Sequence, residues 1–76
     1  LMLEAGDIIN FNALIDGMKA YGEDYTNTIS RNGQSILPFF IVDNIDKKPN
    51  SIIIKCTQLH SLFRSFSAIQ GSVSRL

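Results

Sequence analysis

The pair Asn32–Gly33 is the local feature that most constrains the fold of this chain. Asparagine and glycine readily adopt the positive φ angles of a type I′ turn, and β-branched and aromatic residues flank the pair. We predict a β-hairpin that sets Ile29 opposite Ile36 and Tyr25 opposite Phe40. After a loop over "DNIDKKPN", the run "SIIIKC" indicates a third strand. Together these segments predict an antiparallel meander.

The segment before the hairpin has two interpretations. As a helix, Asp7 is the N-cap, Gly22 is the C-terminal stop, and apolar residues three or four apart form one stripe. That stripe consists of Ile8, Phe11, Leu14, Ile15, Met18 and Tyr21. As strands, Ile9, Phe11, Ala13 and Ile15 alternate with the residues between them before a turn at Asp16–Gly17, but this places Leu14 on the wrong face. We favour the helix, in which Gly17 costs about 1 kcal/mol relative to alanine.

A second helix is predicted near the end of the chain. Thr57 is its candidate cap and Gly71 its candidate end, and its apolar residues are spaced by three or one. They are Leu59, Leu62, Phe63, Phe66 and Ile69. The predicted fold is therefore α+β, with an N-terminal and a C-terminal helix on one face of a two-layer, three-stranded antiparallel meander in the order α-β-β-β-α. We expect residues 1–76 to form a single small domain.

The size of the chain points to self-association. A domain of 76 residues has a small core, and small proteins usually add disulfides, a metal or a second subunit. One cysteine excludes an internal disulfide, and one cysteine with one histidine excludes an ordinary zinc site without carboxylates. We therefore expect a homodimer, with no metal and no cofactor. The apolar runs are too short to span a membrane and no signal peptide is evident, which favours an intracellular, cytoplasmic location.

Charge is distributed unevenly along the sequence, although the formal net charge is zero. Residues 1–24 have a net charge of −4, because five acidic residues outnumber Lys19, and residues 25–76 have +4, because six basic residues outnumber Asp43 and Asp46. This pattern allows an internal ion-pair seam, association of two copies, adjacent acidic and basic faces, or ordinary solvated charge.

Catalytic motifs are sparse. Cys56 and His60 are four apart, which on a helix would place a thiol beside an imidazole, the minimal nucleophile–base pair. No orienting group or oxyanion site accompanies them, and free cysteine is usually a small buried hydrophobe. We therefore predict no catalytic residues and expect that the protein is not an enzyme.

The leading functional hypothesis is a non-enzymatic regulatory or interaction domain that binds a protein partner or itself. The polar side of the predicted C-terminal helix has few charges, so another surface could approach it closely. The candidate partner-binding residues are His60, Ser61, Arg64, Ser65 and Ser67.

The alternative function is binding of DNA or RNA through the basic second part of the chain. Tyr25, Phe39 and Phe40 could stack on bases if they faced outward, although burial in a core is the more frequent fate of such side chains. The candidate nucleic-acid contacts are Lys47, Lys48, Lys55, Arg64 and Arg75.

Two segments bear on this alternative through a family resemblance. The tail "IIIKCTQLHSLFRSFSAIQGSVSRL" resembles the strand, helix and following strand of a half-unit in LAGLIDADG homing endonucleases, and "FNALIDGMK" lies where that family's first helix would be. The resemblance places the family's metal-binding acid at Met18. It therefore implies a nucleic-acid-binding remnant without nuclease activity.

Overall fold

The computed structural model describes residues 2–32, 39–59 and 68–76. Within these ranges the chain forms five strands and one short helix. In chain order they are β1 (Ile8–Ile9), α1 (Phe11–Lys19), β2 (Tyr25–Asn32), β3 (Phe40–Lys47), β4 (Ser51–Gln58) and β5 (Ala68–Arg75).

The five strands form one antiparallel sheet in the spatial order β1-β3-β4-β5-β2, which curls into a half-barrel. Strands β3 and β4 are joined by a tight turn over Pro49–Asn50, where the Lys48 amide donates a hydrogen bond to the Ser51 carbonyl at 2.8 Å. Strand β2 precedes β3 in the chain but pairs with β5 along its whole length. As a result, β2 lies at one edge of the sheet and β1 at the other.

The core lies on one side of this sheet, which we call the inner face. Along β4, Ile52, Ile54 and Cys56 are buried and alternate with less buried residues, as expected for a strand with one covered face. Their partners in β5 are Val73, Gly71 and Ile69, which are also buried. The core is completed by Ile9, Leu14, Met18, Phe40 and Val42.

Helix α1 covers the inner face. Its N-cap is Asn10, whose side-chain oxygen accepts a hydrogen bond from the Ala13 amide at 2.8 Å. Leu14 and Met18 lie one turn apart and are almost completely buried. Both contact the sheet at Gly71, where the absence of a Cβ lets the helix approach β5 closely. The chain leaves the helix through Gly22, whose φ of +111° favours glycine.

The predicted fold class is wrong, because the described residues form a five-stranded antiparallel sheet with one short helix rather than a three-stranded meander with two helices. The N-terminal helix is present but shorter than predicted. It begins at Phe11 and not after Asp7, because Ile8 and Ile9 pair with Ile41 and Phe40 of β3. The side chain of Asp7 instead accepts a hydrogen bond from the Glu4 amide in a local turn.

The predicted pairing of Tyr25 with Phe40 is also wrong, whereas the predicted partner of Ile29, Ile36, lies outside the described residues. Tyr25 pairs with Arg75 of β5, not with Phe40, and Phe40 pairs with Ile9 and Gln58. Strand β2 continues through Asn32 beside Ala68, and residues 33–38 lie outside the described residues. The predicted loop over residues 43–50 is mostly strand, since β3 extends to Lys47 with a register shift between Val42 and Asn44.

The predicted C-terminal helix does not fit the described parts of that segment. Thr57 and Gln58 belong to β4, and Ala68 and Ile69 belong to β5, while residues 60–67 lie outside the described residues. Thr57 does not cap a helix, because its hydroxyl donates a hydrogen bond to a carboxylate oxygen of Asp43 on the neighbouring strand. The helix was predicted from the spacing of apolar residues that begins at Leu59. The residues before it instead keep the alternating burial of a strand as far as Gln58, where β4 still pairs with β3.

Candidate interaction edge and other candidate sites

The partner-binding residues predicted from the sequence, His60, Ser61, Arg64, Ser65 and Ser67, all lie outside the described residues. Their expected position on a helix therefore stays a prediction. The hypothetical pair of Cys56 and His60 cannot be placed for the same reason.

Four of the five basic residues proposed for nucleic-acid binding are described. Three of them, Lys47, Lys48 and Arg75, lie at the end of the sheet that contains the Pro49–Asn50 turn, where the Arg75 amide donates to the Asn50 carbonyl. Lys47 and Lys48 lie at the turn end of β3, where the Lys48 ammonium is 3.9 Å from a carboxylate oxygen of Asp46. Lys55 lies in β4 and, by alternation, on the outer face. Arg75 lies at the end of β5, with its guanidinium carbon 6.0 Å from the centre of the Tyr25 ring. Arg64 is outside the described residues.

The aromatic residues considered for base stacking have different environments. Phe40 is completely buried in the core. Tyr25 is half-buried and its ring centre is 6.4 Å from that of Tyr21. Phe39 is 51% exposed. Only Phe39 among these three therefore offers a largely open ring, and it does not neighbour a described basic residue in the strand register.

Cys56 is a core residue in this structure. It is 2% exposed and pairs with Val42 and Ile69. Burial, assisted by the charge of Asp43, raises the pKa of the Cys56 thiol to about 11. The thiolate is the nucleophilic form of cysteine, so this environment suppresses reactivity at neutral pH.

An open cleft of about 500 Å³ lies between the N-terminal segment and α1. Its lining combines apolar side chains with carboxylates: Met2, Leu3, Glu4, Asp7, Ile9, Ala13, Asp16 and Gly17. Among residues 2–32, 39–59 and 68–76, no group of three or more histidine, cysteine or acidic side chains is arranged to hold a metal ion. Within the same ranges, no helix is long and apolar enough to cross a membrane.

The outer edge of β2 is the most unusual feature of the described sheet. Two hydrogen bonds establish which backbone groups point outward. The Leu76 amide donates to the Asp24 carbonyl at 2.8 Å, and the Arg75 amide donates to the Asn50 carbonyl at 2.8 Å. Leu76 therefore points its backbone groups toward the β2 side of the sheet and Arg75 toward the β4 side, and this alternation continues along the ladder.

It follows that every second residue of β2 directs its N–H and C=O away from β5. Thr26, Thr28 and Ser30 point theirs toward β5, in register with Ser74, Ser72 and Gln70. The outward-pointing residues are Tyr25, Asn27, Ile29 and Arg31. Among the described residues no strand pairs with them, because β2 is last in the sheet order.

Apart from the charge of Arg31 near its end, strand β2 lacks the features that usually protect an edge from further pairing. It contains no lysine or proline, and its register with β5 runs from Tyr25 to Asn32 without a bulge. Thr26, Asn27, Thr28 and Ser30 are exposed. The result is a regular edge of eight residues that offers a template for another strand.

The opposite edge of the sheet is protected in several ways. The N-terminal segment covers the start of β3, where the Val42 amide donates to the Asp7 carbonyl at 2.9 Å and the Gly6 amide donates to the Val42 carbonyl at 2.8 Å. Beyond Val42 a register shift interrupts β3, and the remainder carries Asp43, Asp46 and Lys47. Bulges and charges of this kind discourage edge-to-edge pairing.

Sequence reasoning missed the β2 edge because it assigned β2 to a hairpin with β3. The strand itself was predictable from its β-branched and aromatic residues. Its partner was harder to predict, although "AIQGSVSR" has the alternation of a strand with one covered face, in which Ile69, Gly71 and Val73 fall on the same side.

Comparison with protein-family models, with curated protein sequences and with solved structures found no match to this chain. These comparisons therefore give no support to the resemblance to LAGLIDADG homing endonucleases. In the structure, Met18, the position that the resemblance assigns to a metal-binding acid, is a buried core residue on Gly71.

Proposed function

We propose that this chain is a non-enzymatic interaction domain that binds a protein partner by strand addition at the outer edge of β2, and that it acts as a homodimer. The observation that carries the proposal is the contrast between the two edges of the sheet. One edge is covered by β1 and interrupted by a bulge, whereas the other is long, regular and exposed among the described residues. Strand addition is a recurrent mode of protein recognition, in which backbone hydrogen bonds provide affinity.

The small size of the domain supports the same proposal. Chains of this length commonly gain stability from a second subunit, and Cys56 is a buried free thiol that forms no disulfide within the chain. A reducing, intracellular location fits an unpaired cysteine and forms part of the proposal.

Sedimentation velocity across a wide range of protein concentrations tests the self-association. We expect the mass to rise from monomer to dimer with concentration, and the dimer to survive moderate salt because backbone hydrogen bonds and not surface ion pairs hold it together. A monomer at every concentration would refute homodimerisation.

Nucleic-acid binding is the competing function, and the same samples can test it. Binding of short DNA or RNA by the wild-type chain at low salt, with a steep loss of affinity as salt rises, would favour it over strand addition. We expect no such binding, because only three described basic residues, Lys47, Lys48 and Arg75, lie at one end of the sheet, and the carboxylate of Asp46, 3.9 Å from the Lys48 ammonium, offsets part of their charge.

A further inference from the structure

The outer edge of β2 has a pattern that complements itself. We propose that its partner is β2 of a second copy of this chain, paired antiparallel about a two-fold axis at Thr28, so that the two sheets become one. This inference rests on the proposed function and specifies both the partner and the register.

The register follows from the outward-pointing backbone groups. An antiparallel pair exchanges hydrogen bonds only between residues whose N–H and C=O face each other, so Tyr25, Asn27, Ile29 and Arg31 must pair among themselves. Setting Asn27 opposite Ile29 of the second copy also sets Tyr25 opposite Arg31. All four outward-pointing residues of both strands then find partners. A shift of the register by two residues in either direction leaves some of these groups unpaired.

The charges along the segment favour the antiparallel orientation. The segment that leads into β2 contains Glu23 and Asp24, both exposed and without an ion-pair partner among the described residues, and β2 ends near Arg31. Antiparallel pairing brings the acidic start of one strand next to the basic end of the other. Parallel pairing would align like charges instead, which is unfavourable. The formal net charge of zero means that two copies have no overall repulsion to overcome.

The inner face supplies a hydrophobic contribution at the same place. Tyr25 and Ile29 are only half-buried at the end of the sheet, although both pack against the core. In this register Asn27 of the second copy faces Ile29, and the two Ile29 side chains become diagonal neighbours on the inner face. A two-fold interface of this kind is also closed, because pairing β2 with β2 leaves no free β2 edge for a third copy.

Disulfide trapping tests the register directly. Thr28 lies on the two-fold axis in a pair that does not exchange hydrogen bonds, where Cα atoms are about 4.5 Å apart, a separation that a disulfide can bridge. We expect oxidation of Thr28→Cys to shift the mass from monomer to covalent dimer. The variants Thr26→Cys and Ser30→Cys, which like Thr28→Cys retain the buried Cys56, are matched controls on the same exposed face.

Each control should remain monomeric under denaturing, non-reducing conditions, because two copies of position 26, or of position 30, lie about 14 Å apart in this register. A mixture of the two control variants should form a mixed disulfide, since Thr26 faces Ser30 of the second copy. The wild-type chain, with buried Cys56 as its single cysteine, should form no disulfide.

The possible outcomes separate the inference from the proposed function. If the wild-type chain dimerises but Thr28→Cys cross-links no better than Thr26→Cys or Ser30→Cys, the register is wrong and self-association stands. If the wild-type chain remains a monomer and no variant cross-links, the self-association fails together with the register. Suppose that Thr28→Cys cross-links, that the mixture of Thr26→Cys with Ser30→Cys cross-links, and that neither control variant cross-links by itself. This result would support both the register and the self-association.

Discussion

Met18 of α1 lies directly against Gly71 of β5, so that a Cβ added at Gly71 would collide with the Met18 sulfur. The contact lies on β5 beside strand β2, because Gly71 also pairs with Ile29 of β2. The close approach of helix and sheet explains why a strand in the centre of the core region contains a glycine.

Replacement of Gly71 by alanine should destabilise the domain by about 1 to 3 kcal/mol, because the added methyl overpacks the contact with Met18. The midpoint of urea unfolding measures this change. Met18→Ala makes room for the methyl, so the double variant should be more stable than the sum of the two single changes by about 1 kcal/mol. Ser72→Ala, one position along the same strand, is the control and should change stability by less than about 0.5 kcal/mol. Additive effects would show that Met18 does not rest on Gly71.

A second close contact joins Gly17 to Leu3, whose Cγ lies 2.5 Å from the position of an added Cβ. Alanine is a better helix former than glycine by about 1 kcal/mol. In a Leu3→Ala background, Gly17→Ala should therefore raise the free energy of unfolding by about that amount. In the otherwise wild-type chain the displaced Leu3 should reduce or reverse the gain. Equal effects in both backgrounds, measured by urea unfolding, would mean that Leu3 does not pack on α1.

The hydroxyl of Tyr21 is buried without a hydrogen-bond partner among the described residues, and burial raises its pKa. An unsatisfied buried hydroxyl is unfavourable, so Tyr21→Phe should stabilise the domain, by up to about 1 kcal/mol. Tyr25→Phe, which alters the neighbouring ring in the aromatic pair, should have little effect. A clear loss of stability on Tyr21→Phe would show that the hydroxyl does have a partner.

The buried thiol of Cys56 should make stability fall in alkaline solution. Its pKa is raised from 9.0 to about 11 in the folded protein, so the folded state holds a proton that the unfolded state has released. The resulting contribution to stability is complete below about pH 8 and is lost as the pH rises from about 9 to 11, at no more than about 1.4 kcal/mol per pH unit. Unfolding of wild type and Cys56→Ala, measured from pH 7 to 11, should show the steeper decline in the wild type. Parallel curves would mean that the thiol titrates alike in both states.

Local patterns predicted those parts of the fold that local interactions determine. The helical stripe through Leu14 and Met18 is present, as is the strand that contains Ile52 and Ile54. The helix ends at Lys19, before the predicted stop at Gly22, although Gly22 does have a positive φ. The partner of β2 depends instead on contacts between Tyr25 and Arg75, fifty positions apart, which no turn signal encodes. The Asn32–Gly33 pair favoured the pairing of β2 with β3, whereas β2 pairs with β5 as far as Asn32.

The candidate site was not predictable for a related reason. An edge becomes an interaction surface only when the order of strands places it last, and that order follows from long-range pairing. The residues first considered for partner binding, 60–67, lie outside the described residues, whereas Asn27 and Ile29 carried no distinguishing motif.

The central claim, that the outer edge of β2 is the interaction surface, is tested most directly by comparing Asn27→Pro with Asn27→Ala. The backbone N–H of Asn27 points away from β5, so proline removes a donor from the outer edge and leaves the ladder with β5 intact. Each dimer loses two hydrogen bonds of about 1 kcal/mol. The dissociation constant measured by sedimentation should therefore rise about thirtyfold in Asn27→Pro and remain near the wild-type value in Asn27→Ala. Circular dichroism should show both variants folded, and a folded Asn27→Pro protein that dimerises as tightly as the wild type would contradict the account.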